Sequence, residues 1–201
     1  MDDGPEREIL RATYRALCEH GYADLTLKEI AAESDRSKAL IHYYYDGKRD
    51  LFDAFLELLY EEYTDRIDAA TGDTATERFR SLLAVLLTDE GASSGRGFRT
   101  ALLEVKAQAP YNDTIREHLV EFDAALFDRL ETVVADGVES GEFDPSVDPA
   151  RVAECLTATV QGAHARRVAI DGSTDELYET LIDYAERHLL ADASGSLEVE
   201  R

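Results

Sequence analysis

Apolar residues recur at three- and four-residue steps along most of the chain, and no stretch alternates residue by residue, so the pattern predicts helices and no strands. Ile9, Leu10, Thr13, Ala16 and Leu17 make the inner stripe of a first helix from about Pro5 to His20. Pro5 suits a first turn, where a missing N–H costs nothing, and Gly21 is the expected terminator. Thr26, with Glu29 three residues on, predicts a capping box: the hydroxyl takes an orphan backbone N–H and the carboxylate reaches back to the cap. Leu27, Ile30 and Ala31 then give one apolar face. The pattern breaks at Ser34, Asp35 and Arg36, where Ser and Asp favour turns over helix interiors. A second short helix follows from about Ser37 to Tyr45. Ile41 and Tyr45, four apart, anchor its inner face. Ala39, Leu40, His42 and Tyr43 then point away, with Lys38 and Tyr44 on the flanks.

From Lys48 a long helix is predicted to about Ala70, carrying Leu51, Phe52, Phe55, Leu58, Leu59 and Tyr63 at helical spacing. Thr71 to Thr74 stops it. Further helices are expected at about 74–89, 98–109, 113–139, 149–170 and 175–190. A Gly- and Ser-rich loop covers 90–96, Pro110 interrupts, and Gly137–Pro149 reads as a connection before the last two helices. The chain begins with a short acidic tail, Met1 to about Gly4, and the tail Ala193–Arg201 has little to bury and is expected to be disordered. The expectation is an all-α chain of about nine helices: a three-helix domain over 1–50, a larger helical domain over 51–192 and a tail over 193–201.

Two short helices across a tight turn, the second with a basic and aromatic outer face, describe a DNA-reading helix-turn-helix. Residues 9–56 resemble the N-terminal domain of the tetracycline-repressor (TetR) family of transcriptional regulators. The resemblance is carried by ILRATYRALCEHGY, LTLKEIAAES and SKALIHYYYDGKRDLFDAF. Two positions depart from it. Ser34-Asp35-Arg36 replaces an Ala-Gly-Val-like turn, and Tyr45 replaces the usual Phe that closes the reading helix. The resemblance implies a homodimer on a palindromic operator in double-stranded DNA, most commonly a repressor released by a small, apolar effector. It also implies that the last two helices pair with their twins, with Val152, Leu156, Thr159, Val160, Ala163 and Ala169 among the residues that allow close approach. Phosphate contact is expected from the Thr26 cap region with Lys28, from Ser37, Tyr43 and Tyr44, and from Lys48 at a helix N-terminus. Base reading falls to Lys38, Ala39, Leu40 and His42.

Charge complicates this picture. The 201-residue chain carries a formal net charge of -22 and a pI near 4.4, the reverse of a typical DNA binder. Its distribution resolves part of the conflict. Thr26–Arg49 holds five basic residues (Lys28, Arg36, Lys38, Lys48, Arg49) and four acidic ones (Glu29, Glu33, Asp35, Asp46), so this stretch is +1 and the remainder -23. Three of the four lysines lie there. Scarce lysine and abundant Asp and Glu resemble proteins of salt-in halophiles, where screening shrinks the self-repulsion of an acidic surface. An ordinary acidic regulator is the other reading.

The larger domain is expected to enclose an effector cavity, with Phe55, Tyr63, Phe79, Phe98, Phe122 and Phe127 as aromatic lining and Arg99, Glu104, His118, Gln161 and His164 as orienting polar groups. Each polar residue is individually expected as a surface or satisfied group more than as a pocket one. Catalysis has no motif: the sequence lacks a Gly-rich phosphate loop, His-Glu-x-x-His and Cys-x-x-Cys, and no metal or cofactor is expected. A small-molecule-binding dimer with a vestigial DNA domain is the alternative, against which stands the placing of the lysines. Cys18 and Cys155 are expected as buried thiols. Apolar runs are far too short for a bilayer span, so no membrane partner and a cytoplasmic location are expected.

Overall fold

The computed structural model describes residues 4–34, 36–88 and 96–190, without the side chains of Arg96, Phe98 and Asp175. The expected N-terminal tail up to residue 3, Asp35 of the turn, most of the 90–96 loop, the Phe98 ring and the 193–201 tail lie outside the described residues. Nine α-helices and one 3-10 turn are described: α1 Pro5–Asp24, α2 Leu27–Ala32, α3 Lys38–Tyr44, α4 Lys48–Asp68, α5 Ala75–Leu87, α6 Arg96–Gln108, the turn Ala109–Tyr111, α7 Asp113–Ser140, α8 Pro149–Ala169 and α9 Asp175–His188. The chain is all-α. Among the described residues, none of these helices is long and apolar enough to cross a membrane.

Packing divides the chain into two compact units, formed by the described residues of 1–64 with 93–122 and of 65–92 with 123–201. The boundary expected at residue 50 follows a division of labour; the packing groups most of α4, α6 and the start of α7 with α1–α3. In the first unit the core is built from Ile9, Leu17, Leu25, Ile30, Ile41, Leu51, Phe55 and Ile115. Gly21 interrupts α1 with φ 73 and ψ 174, a left-handed φ that an L side chain resists, so the expected stop falls at the expected residue although one more helical turn follows it.

In the second unit Thr74 and Glu77 form a complete capping box at the start of α5. This T-x-x-E spacing is readable in the sequence. The expected connection at 137–149 begins later than foreseen, because α7 runs on to Ser140. Gly141 (φ 78) then turns the chain, Glu142 reaches the start of α5, and the buried Phe143 ring fills the notch at Gly137. Glu142 accepts from Ala75 N at 2.9 Å, Thr76 N at 3.0 Å and Thr76 Oγ1 at 2.9 Å. These backbone N–H groups hold its carboxyl down at about 2, against an ordinary 4.5. A depressed folded-state pKa contributes stability that is present above about pH 4.5 and lost as pH falls towards 2. Glu142→Ala is therefore expected to cost about 1 kcal/mol at neutral pH, the scale of a lost helix cap, and to flatten the acid limb of a pH-dependent unfolding curve. An unchanged acid limb would contradict this.

Cys155 departs from expectation. It is exposed, because it lies on the face of α8 opposite the buried Ala153, Leu156 and Val160. Cys18 is half-buried, and burial pushes its thiol pKa up.

Candidate nucleic-acid interface

Ser37 opens α3 as its N-cap, and its hydroxyl accepts from Leu40 N at 3.2 Å. Thr26 caps α2 in the same manner, accepting from Lys28 N at 3.2 Å and Glu29 N at 3.4 Å. The expected return half of this second box is not among the described bonds. The Glu29 carboxylate instead lies 3.6 Å from Lys28 Nζ, and its Oε2 is buried without a hydrogen bond.

Ile41 is fully buried and Tyr45 is 5% exposed, so this pair sets the rotation of α3. Lys38, Ala39, His42 and Tyr43 consequently face outward, while Leu40 and Tyr44 are half-buried. Tyr43, 80% exposed, leans edge-on against Tyr44 with ring centroids 5.2 Å apart. The Tyr45 hydroxyl is buried without a partner; burial, with Glu6, Asp50 and Tyr44 adding, pushes its pKa up to about 12. Tyr45→Phe deletes an unpaired group in a site that keeps its ring. It is expected to leave Tm unchanged or to raise stability by up to about 1 kcal/mol; a fall in Tm would contradict the assignment.

The turn is held from outside the motif. Arg36 Nε and Nη2 both lie 2.6 Å from Glu8 Oε2, and Arg15 Nη2 donates to Glu33 O at 2.5 Å. Lys48 is directed inward: its ammonium donates to Tyr22 O at 3.1 Å, and burial pulls its pKa below the ordinary lysine value, Asp24 opposing. Arg49 donates to Thr114 Oγ1 at 3.4 Å. Lys38, by contrast, has no hydrogen bond or ion pair to the described residues.

The effector candidates fall into separate groups. In the first unit Phe122 meets Tyr60 at 5.4 Å and Tyr63 at 5.3 Å between centroids. His118 Nε2 lies 2.7 Å from Asp53 Oδ1. Arg99 is half-buried on α6, and Glu104 accepts from Tyr22 N at 2.7 Å. In the second unit His164 Nε2 meets Leu86 O at 2.9 Å and so carries the proton there, and Gln161 Nε2 reaches Asp123 Oδ1 at 3.5 Å. Sequence reasoning missed Tyr22, which binds residues 26 and 82 positions away; only its place after Gly21 marked it.

Two capped short helices, the second fixed by two buried residues and presenting basic and aromatic side chains, define a helix-turn-helix regulator. The chain belongs to the TetR family: residues 9–55 match the bacterial regulatory proteins of the tetR family, and residues 75–190 match the C-terminal domain of BetI-type transcriptional repressors. A TetR transcription regulator from Haloarcula marismortui is 38% identical over 92% of this chain and 97% of its own, with a TM-score of 0.82. A transcriptional regulator from Saccharomonospora viridis, solved in complex with choline, is 25% identical over the same shares with a TM-score of 0.80. The regulator BetI of Rhizobium meliloti is 25% identical over 97% of this chain and 94% of its own. Uncharacterised HTH-type regulators of Mycobacterium are 29% identical, and the match spans 65% of their length.

Proposed function

We propose that the protein is a ligand-responsive repressor that binds a palindromic operator as a homodimer. The observation that carries this is the outward face of α3, where Lys38, Ala39, His42 and Tyr43 stand exposed around a buried Ile41–Tyr45 anchor. Lys38, Ala39, Leu40 and His42 read bases. Thr26, Lys28, Ser37, Tyr43 and Tyr44 meet phosphates, and Lys48 adds the two N–H groups that Tyr22 leaves free together with the start of α4. The proposed dimer face is the exposed small-residue stripe Cys155, Ala158, Gly162 and Ala169 of α8. On α9 Tyr184 is 57% exposed, its ring tilted against His188 with centroids 4.5 Å apart. Leu156, Val160 and Ala163, expected at that interface, are buried within the protomer instead.

The effector we propose is choline or a related quaternary ammonium compound. Support comes from the BetI-type C-terminal match and the choline complex of a relative. The Tyr60–Tyr63–Phe122 group supplies rings of the kind that attract such cations. An electrophoretic shift of DNA upstream of the chain's own coding sequence, repeated with choline chloride, tests both parts. A retarded band released by choline supports the reading. No band overturns the regulator, and a band indifferent to choline overturns the effector alone.

A further inference from the structure

Tyr22 is the residue at which four parts of the first unit meet. Its N–H donates to Glu104 Oε2 of α6 at 2.7 Å, and its carbonyl accepts from Lys48 Nζ, at the first residue of α4, at 3.1 Å. The Lys48 ammonium also lies 4.8 Å from the centre of the Tyr22 ring. The ring meets Phe52 edge-on at 5.0 Å, and the hydroxyl is hydrogen-bonded to Asn112, just ahead of α7. Gly21 leaves the opening for Glu104: a Cβ there would fall 2.7 Å from Glu104 Oε2. Further along the same pair of helices, a Cβ on Gly97 would lie 2.7 Å from the Cys18 carbonyl oxygen, so α6 rests directly on α1.

We propose that Glu104 is a positioning residue for operator binding. The inference rests on the DNA-binding reading above. Glu104 holds the N–H of the residue whose carbonyl holds Lys48, so one residue connects α6 to the N-terminus of α4, which follows the reading helix by only a few residues. A charged acceptor on a half-buried N–H fixes that peptide's orientation. Gly21, immediately before it, has no side chain to restrict its backbone. Without the carboxylate the Gly21–Tyr22 peptide loses its anchor, the Tyr22 backbone shifts, the following peptide carries the Tyr22 carbonyl away from the Lys48 ammonium, and the start of α4 loses its fixed relation to α3. Glu104 itself touches no DNA; its effect passes through Tyr22.

The test uses the full chain and a duplex that the wild-type protein selects from a random pool. Glu104→Ala and Glu104→Asp, the latter drawing the carboxylate back by one methylene, are expected to weaken binding about tenfold, the scale of a lost charge-assisted hydrogen bond. Glu104→Gln keeps an acceptor oxygen and is expected to bind within about threefold of wild type. Thermal unfolding of each variant is measured beside affinity. A purely structural role lowers Tm alone, because a variant still folded at the assay temperature then binds normally. Alanine and aspartate variants that are folded and bind within twofold of wild type overturn the proposal; where the alanine variant does not fold, the aspartate variant decides. A wild type that selects no sequence removes the operator reading, and this inference with it, an outcome distinct from indifferent variants.

Discussion

Operator affinity is expected to fall only shallowly as salt rises. DNA binding ordinarily weakens with salt because cations released from the duplex enter an already concentrated bath, by about 0.9 in log–log slope per phosphate neutralised. Here few cations are available for phosphates. Arg36 is bound to Glu8, Lys48 donates to Tyr22, and the Lys28 ammonium lies 3.6 Å from Glu29. The stretch Thr26–Arg49 is +1 while the remainder of each protomer carries -23. That remainder repels DNA at low salt, and screening over about 3 Å at 1 M removes the repulsion. The two effects oppose each other. A slope of about -2 to -4 is expected for a dimer that neutralises one or two phosphates per half-site, where a basic repressor gives about -10. The check is log affinity against log salt on a specific duplex, over a range in which the dimer stays folded. A slope near that of a basic repressor would mean that the local lysines outweigh the acidic field.

Lys38→Ala is expected to cost about 1–3 kcal/mol in operator binding and to relax preference at one base pair per half-site. Lys38 opens α3 behind the Ser37 cap, is exposed, and has no hydrogen bond or ion pair to the described residues, so its donors are free for guanine O6 and N7. A substitution that weakened all sequences alike would place Lys38 on a phosphate. Affinity measured on the preferred duplex and on its single-base variants separates the two outcomes.

What the sequence made legible was local. Thr26 caps the helix it precedes, Ile41 and Tyr45 face inward as their four-residue spacing requires, and Gly21 breaks α1 where expected. Periodicity and capping act within one or two helical turns, so neighbouring residues carry the information. The contacts that fix the motif in place were not legible. Glu8 lies 28 residues from Arg36, and Glu104 lies 82 from Tyr22. Nothing local marks such a pair. Glu104 and His164 read as pocket candidates because they are polar within apolar patterns; the distant backbone groups they meet were not legible. Cys155 misled for the related reason that a small apolar side chain fits either face of a helix.

Regulation by this protein requires α3 to read DNA in a two-fold dimer. Selection of duplexes from a random pool by the full-length protein at high salt tests it most directly. The enriched sequence is predicted to be a palindrome whose half-sites lie about 10 base pairs apart, or a multiple of that, one per recognition helix. No enrichment, or enrichment of a single half-site without its inverted partner, would contradict it.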